Sequence, residues 1–337
     1  MVDLFRKLNS NNHQYMAKKL AVIALGGNAL LRGDQAGTIE EQEQNTTDTL
    51  ENLIFLLKED YNIVITHGNG PQVGNILMRN DAGEQLYNIA QMPIDICVAD
   101  TQGGIGYMIE RMFRNVLNKH RINRNVLCIV TQVLVDRNDE AFNDPQKRIG
   151  KIYTKEEADE LAGKKGWVFM EEVKRDNGYR RVVPSPAPVG VINGSVIGDL
   201  AKQGHIVIAA GGGGVPVYYD ENMDIRTTEA VIDKDMASSL LATEIGADEF
   251  YILTDVPYIY INYKKPDQQI KEFLDYNDTM KYLQEGHFAK GSMQPKIIAC
   301  LNFIRNGGKK SVITEAFKLA DKKYGSKITM EYEDERR

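Results

Sequence analysis

The chain has 337 residues, 42% of them hydrophobic and 26% charged, with a formal net charge of −6. That length builds one large α/β domain or two smaller ones, and the composition is that of an ordinary soluble globular protein. The acidic balance argues against general nucleic-acid or membrane-surface binding, so any phosphate site must be basic locally.

Residues 1–15 are polar and asparagine-rich. They read as a surface or disordered tail, extending to residue 18, or alternatively as an organellar presequence with few arginines and serines. A cytoplasmic location is expected, or an organelle matrix if 1–15 is a presequence. Apolar runs then predict strands at 20–25, 63–66, 126–135, 205–210, 250–254 and 311–314. Helical patterns lie between them at 40–58, 74–80, 100–119, 235–245, 279–285 and 296–306. The alternation predicts an α/β fold, a mostly parallel sheet with helices on both faces. Gly246 and Gly307-Gly308 fit helix ends that precede a strand.

Asp136–Val183 breaks this rhythm: it is highly charged, has few apolar runs and carries the chain's single tryptophan, Trp167. It fits an inserted lid, placed at 138–183, although a long surface excursion without a role gives the same pattern. Cys97, Cys128 and Cys300 are odd in number and sit in apolar contexts, which predicts buried free thiols. The five histidines complete no zinc pattern. No apolar stretch approaches the roughly 18 residues of a membrane span.

Two glycine turns follow apolar runs: Gly26-Gly27-Asn28 after the first and Gly68-Asn69-Gly70-Pro71 after the second. Glycine admits close backbone approach, and the start of a helix adds unpaired N–H groups, so two such loops can hold two anionic groups face to face. Asn28 and Asn69 can add side-chain donors. In such sheets ligands sit beyond the carboxyl ends of the strands. Gly211–Gly214 follows a third run, either as a flexible loop or as a close approach to a polyphosphate or ribose. No Gly-x-x-x-x-Gly-Lys-Ser/Thr occurs, and Gly68-Asn-Gly-Pro-Gln-Val-Gly74 misses the dinucleotide spacing by one residue, so neither a P-loop nor a Rossmann site is expected.

Lys234 opens a predicted helix, where a cation opposes the dipole unless an acid or a bound anion offsets it, a mismatch that points to function; the plainer alternative for Asp235 beside it is that it caps the helix. Lys296 repeats the pattern after Gly291-Ser-Met-Gln-Pro295, with proline at or near the first helical position. Lys147, within Asn143-Asp-Pro-Gln-Lys-Arg-Ile-Gly150, is by sequence one basic residue among many.

Taken in order, Val22-Ile-Ala-Leu-Gly-Gly-Asn-Ala-Leu, Thr66-His-Gly-Asn-Gly-Pro-Gln-Val-Gly-Asn, Thr101-Gln-Gly-Gly-Ile-Gly-Tyr, Val183-Pro-Ser-Pro, Gly211–Gly214, Val231-Ile-Asp-Lys-Asp, Leu253-Thr-Asp-Val-Pro and Gly291-Ser-Met-Gln-Pro-Lys resemble the carbamate kinase family of the amino-acid kinase superfamily. The resemblance runs from about Lys19 to Thr314. It implies a three-layer αβα sandwich over 19–337, with an acyl-phosphate site in the N-terminal half and a nucleotide site in the C-terminal half. It also implies reversible phosphoryl transfer between carbamoyl phosphate and ADP, in the setting of arginine breakdown, by a homodimer. Lys147, Lys234 and Lys296 match the family's catalytic lysines and Asp235 the acid that positions them. Gly26, Gly27, Asn28, Gly68, Asn69 and Gly70 would hold the transferred phosphoryl and carbamate groups. Gly211, Gly212, Gly213, Asp255, Tyr258, Met293 and Lys296 would line the nucleotide. Mg²⁺ would ride on the ADP/ATP phosphates with no direct protein ligand. The Lys147 stretch departs from the family's usual Asn-Pro-Thr-Lys-Pro-Ile-Gly by carrying Arg148 in place of proline. Another amino-acid kinase substrate, or a non-catalytic sensor on the same fold, are the competing readings.

Overall fold

A computed structural model of the chain describes residues 18–31, 33, 35–172 and 178–331. The tail expectation falls, apart from Lys18, outside the described residues. The central sheet is built from β1 (Leu20–Leu25), β2 (Asn62–His67), β3 (Val126–Cys128), β4 (Ile206–Ile208), β5 (Glu249–Thr254), β6 (Phe273–Asp275), β7 (Lys310–Glu315) and β8 (Ser326–Thr329). Their spatial order is β6-β8-β7-β5-β1-β2-β4-β3. Every pair is parallel except β7 with β8.

β1 explains why the sheet must be covered on both sides. Leu20, Val22 and Ala24 enter one core while Ala21, Ile23 and Leu25 enter the other, the period of two expected of a strand. One core is closed by helices α1 (Ile39–Glu51), α2 (Ile54–Lys58) and α4 (Ile94–Lys119); α3 (Gly70–Tyr87) lies between α2 and α4 in the chain. The other is closed by α5 (Gly194–Lys202), α6 (Lys234–Glu244) and α7 (Met293–Arg305). This is the three-layer α/β sandwich.

Several boundaries differ from expectation. The run 126–135 is two strands: β3 stays in the central sheet, whereas Gln132–Val135 joins a second sheet with Pro188–Val191, Val215–Tyr219 and Ile225–Thr227. The chain turns between them at Thr131. There Gln102 of α4 accepts the Thr131 N–H (2.9 Å) and donates to its carbonyl (3.1 Å). The helix expected over 40–58 breaks after Glu51, where Asn52 and Leu53 make tighter i→i−3 bonds to Thr49 and Leu50. The helices expected at 74–80 and 100–119 are longer, each starting about one turn or more earlier, with Pro71 and Pro93 at their entrances. Pro295 falls at the third residue of α7 rather than the first. Gly246 and Gly307 do take the left-handed conformation after helices, with φ of +66° and +97°.

Between Gln132–Val135 and Pro188–Val191, two strands of the second sheet, the chain carries a separate antiparallel sheet of Lys147–Tyr153, Gly178–Val183 and Val168–Glu172, with the helix Lys155–Lys165 inserted in it. A capping box at Thr154 and Glu157 starts that helix and a left-handed Gly166 ends it. The unit rests on α3: Tyr153 donates to Asp81 at 3.2 Å and Lys165 pairs with Glu84 at 2.7 Å. Ile149 and Val183 pack with Ile94 and Val231. Cys97 and Cys300 are buried, Cys128 partly so, and all three thiols are free.

Candidate active site

The carboxyl ends of β1, β2, β4 and β5 point the same way, and their loops line one cleft of about 510 Å³. Gly26, Gly27, Gly68, Asn69, Gly70, Gly212 and Asp255 are on its wall, with Lys147, Lys234, Asp235 and Lys296. The strand-end loops bring the glycines, Asn69 and Asp255 to one place, the starts of α6 and α7 bring Lys234, Asp235 and Lys296, and the inserted sheet brings Lys147.

Glycine is needed at Gly26 for packing: a Cβ there would lie 2.4 Å from the Leu253 carbonyl oxygen. A Cβ at Gly68 would press on the stem of Lys234 at 3.2 Å, so this glycine lets the lysine lie over the loop. Asn69 is turned inward: its amide donates to Thr101 Oγ1 at 2.9 Å, which leaves a single N–H for other use. The side chain of Asn28 lies outside the described residues.

Gly211–Gly213 form a short 3₁₀ turn that is buried, not a flexible loop. Cβ atoms at Gly211, Gly212 and Gly213 would meet His67 Nε2 at 2.4 Å, Asn69 Nδ2 at 2.2 Å and the Ile232 carbonyl at 2.5 Å. Only Gly212 of the three reaches the cleft wall. His67 beneath it is fully buried, and burial, reinforced by the Lys234 charge, lowers its pKa to about 4; its Nδ1 lies 3.0 Å from the Gly68 carbonyl. The ring is therefore neutral near pH 7, with its proton on Nδ1. Tyr258 packs against Tyr324 with ring centres 5.1 Å apart and planes tilted by 50°, and Met293 packs against the core at the start of α7. Neither is part of the cleft wall, whereas Gly291, Ser292 and Pro295 are.

The charged centre is built around Asp235. Its side chain is 4% exposed. One carboxylate oxygen accepts from Lys234 Nζ and the other from Lys296 Nζ at 2.7 Å. Burial pushes its carboxyl up, but the two ammonium charges and their hydrogen bonds outweigh that and hold it at about 2. Lys234 is itself lowered, by burial and then by Lys296, against the pull of Asp235. The expected helix cap is corrected here. Asp235 does not cap α6; Asp233 does, its Oδ1 accepting the N–H groups of Asp235 (3.0 Å) and Met236 (3.4 Å). The other Asp233 oxygen, Oδ2, accepts from Lys147 Nζ at 3.3 Å. Lys234 at a helix N-terminus is thus offset by an acid on each side. α6 is pinned to β2 by a hydroxyl pair, Thr66 Oγ1 to Ser238 Oγ at 2.6 Å.

Sequence reasoning missed Asp233 and Arg180. Asp233 carried a signal, since an acid just before a helix is a cap candidate, but Asp235 two residues on offered the same one. Arg180 and Arg148 both reach the cleft wall and both pair with Glu172, at 3.8 and 3.5 Å. Nothing in the spacing of that charged segment marked Arg180. The arrangement holds anions: three lysines fixed by two aspartates, two arginines at the rim, and glycine loops whose backbone can approach closely. Among the described residues no group of three or more His, Cys, Asp and Glu is placed to hold a metal ion. No described helix is long and apolar enough to cross a membrane.

A strand-end cleft of this kind on a three-layer sandwich defines a phosphate-handling α/β protein, and the family model described as the amino acid kinase family matches residues 19–315. The chain belongs to that family, and it is a kinase. Carbamate kinase of Thermococcus kodakarensis is 48% identical over 93% of this chain and 100% of its own length, and that of Pyrococcus horikoshii 45% identical over 91% and 98%. The solved structure of carbamate kinase from Giardia lamblia bound to AMP-PNP superposes with a TM-score of 0.87 at 40% identity, covering 93% of this chain and 99% of that one. Within the family the chain is a member of the carbamate kinases.

Proposed function

We propose that the chain catalyses reversible phosphoryl transfer between carbamoyl phosphate and ADP. A terminal β-phosphate oxygen of ADP attacks phosphorus, the bond from phosphorus to the carbamate oxygen breaks, and ATP and carbamate result. Carbamate then decomposes to ammonia and carbon dioxide. In the reverse direction carbamate attacks as an anion, so neither direction needs a general base, and the work left to the protein is positioning and charge stabilisation.

The loops at Gly26–Asn28 and Gly68–Gly70 hold the transferred phosphoryl and carbamate groups. The nucleotide lies toward Gly211–Gly213, Asp255, Tyr258 and Met293. Lys234 and Lys296, locked by Asp235, offset the repulsion between the two anionic substrates, and Lys147 reaches the same point from the inserted sheet, which acts as a lid. Mg²⁺ would be held by the nucleotide phosphates and would add to charge stabilisation there, since Asp233 and Asp235 are each engaged by lysines. The observation that carries this reading is the convergence of three lysines on two aspartates beside two glycine loops.

The protein acts as a homodimer, a reading supported by exposed apolar residues near and along α4, among them Ile89, Ile96 and Tyr107. Its physiological place is the ATP-forming last step of arginine breakdown by the arginine dihydrolase (deiminase) route, in the cytoplasm. The test is ATP formation from ADP with carbamoyl phosphate, acetyl phosphate and acetylglutamyl phosphate side by side. Turnover with carbamoyl phosphate alone supports the proposal. Turnover with another acyl phosphate only, or with none, refutes it.

A further inference from the structure

Asp233 has two jobs for its two oxygens. Oδ1 caps α6 through the N–H groups of Asp235 and Met236. That task needs no carboxylate, because Asn, Ser or Thr caps a helix about as well. Oδ2 is spare for capping and faces the lid, where it takes the Lys147 ammonium at 3.3 Å. Lys147 comes from the first residue of the Lys147–Tyr153 strand, 86 positions earlier in the chain. It reaches this oxygen from the inserted sheet, and both residues are on the cleft wall.

A bare carboxylate on the wall of a site for phosphoryl groups repels its substrate. Here Lys147 neutralises it while the cleft awaits the acyl phosphate. When phosphoryl oxygens draw the lysine away, the Asp233 charge is not stranded, because it still sits on the unpaired N–H groups at the start of α6 and on the positive end of the helix dipole. The carboxylate can therefore release its lysine without a large penalty.

From this geometry we infer that Asp233 is a positioning residue that holds Lys147 over the cleft and hands it to the transferring phosphoryl group. The inference rests on the reading of Lys147 as a phosphoryl-contacting lysine. It assigns to a helix cap a second role that a Ser or Thr cap cannot perform.

The test is a double-mutant cycle in the full-length protein, with Asp233→Asn, Lys147→Ala and the pair. Asn keeps the cap, so the melting temperature of Asp233→Asn stays within about a degree of the parent; Asp233→Ser serves as a second cap-preserving variant. In Asp233→Asn, kcat falls about tenfold while KM for carbamoyl phosphate changes less than about twofold, because the lysine contact is made most fully in the transition state. In the Lys147→Ala background the same change leaves kcat unaltered. Hydrogen exchange supplies a readout independent of turnover: amides of residues 147–153 exchange several times faster in either single variant, and no faster in the pair. Additive losses of kcat, or unchanged exchange at 147–153 in Asp233→Asn, overturn the inference. An unaltered kcat in Lys147→Ala alone overturns the reading of Lys147 instead, while exchange still reports whether the contact holds the lid strand.

Discussion

Replacing Asp235 with asparagine removes one charge and almost no volume, and the structure sets the expected size of the effect. The carboxyl titrates at about 2 instead of 3.8, burial opposing ionisation and the two lysines more than restoring it. Each pH unit of that difference is worth about 1.4 kcal/mol, so ionised Asp235 contributes about 2 kcal/mol relative to its neutral form. Asparagine mimics that neutral form, and Asp235→Asn is expected to lose about 2 kcal/mol at pH 7. Asp235→Ala also strands two largely buried ammonium groups against each other and is expected to lose about 3–5 kcal/mol. With an unfolding entropy of about 2.1 cal/mol/K per residue, 2 kcal/mol lowers the melting temperature of a chain this size by about 3 °C.

The sign with pH is fixed. A carboxyl depressed in the folded state contributes fully above its unfolded pKa near 3.8 and loses its contribution as pH falls through about 2. The gap between parent and Asp235→Asn is therefore constant from pH 5 to 8 and closes between pH 4 and 2. Thermal and urea unfolding followed by circular dichroism at those pH values measures it. Equal stability of parent and variant at pH 7, or a gap that widens in acid, refutes an ionised Asp235 between two ammonium groups.

Lys296→Ala should lower kcat for phosphoryl transfer about a hundredfold or more, by removing charge stabilisation at the transferred group; an unchanged rate in the coupled ATP assay removes Lys296 from the catalytic set. His67 is neutral when folded and titrates only near pH 4, so the unfolded chain takes up a proton first as pH falls below about 6.5. Stability should fall by about 3 kcal/mol between pH 6.5 and 4 on this account, and His67→Gln should flatten that slope in unfolding experiments. Gly212→Ala places a Cβ 2.2 Å from the Asn69 amide at a φ of +66°. It should cost at least about 2 kcal/mol and lower activity through Asn69; a variant as stable as the parent contradicts the tight packing of this turn.

Much of the frame was readable in the chain. A strand buried on both faces, such as Leu20–Leu25, appears as an uninterrupted apolar run, and the glycines that follow mark its carboxyl end. The Lys234 and Lys296 entrances were visible as cations placed against a helix dipole. Their union was legible only through the family resemblance and not from spacing, because the Asp235 carboxylate joins its neighbour Lys234 to Lys296, 61 positions from Asp235, and only the packing of α6 beside α7 brings them together. Val126–Val135 misled because Ile129 and Val130 keep the run apolar across a change of sheet. Phe273–Asp275 and Ser326–Thr329 are three and four residues long, too short to show a period; Ser326–Thr329 is a strand because β7 offers it an edge, and Phe273–Asp275 because Ser326–Thr329 in turn offers one. The choice between Asp233 and Asp235 as cap turned on backbone angles at the start of α6, which two acids on either side of a lysine cannot reveal.

The clasp of Gln102 on Thr131 bears on how this architecture tolerates change. To the peptide of Thr131 the amide of Gln102 presents one acceptor and one donor, the pair that a neighbouring strand would present. The Thr131 carbonyl also accepts from the Val215 N–H at 2.9 Å, whereas the Thr131 N–H donates to Gln102, so a side chain completes the rung at the point where the backbone passes between two sheets. Glutamate lacks the donor, methionine and leucine lack both, and asparagine is a methylene short. A helix position buried in a glycine-rich stretch is in this way held to a single residue type by the hydrogen-bond needs of a loop 29 positions away. The two sheets flanking that loop can then vary in sequence around a fixed joint.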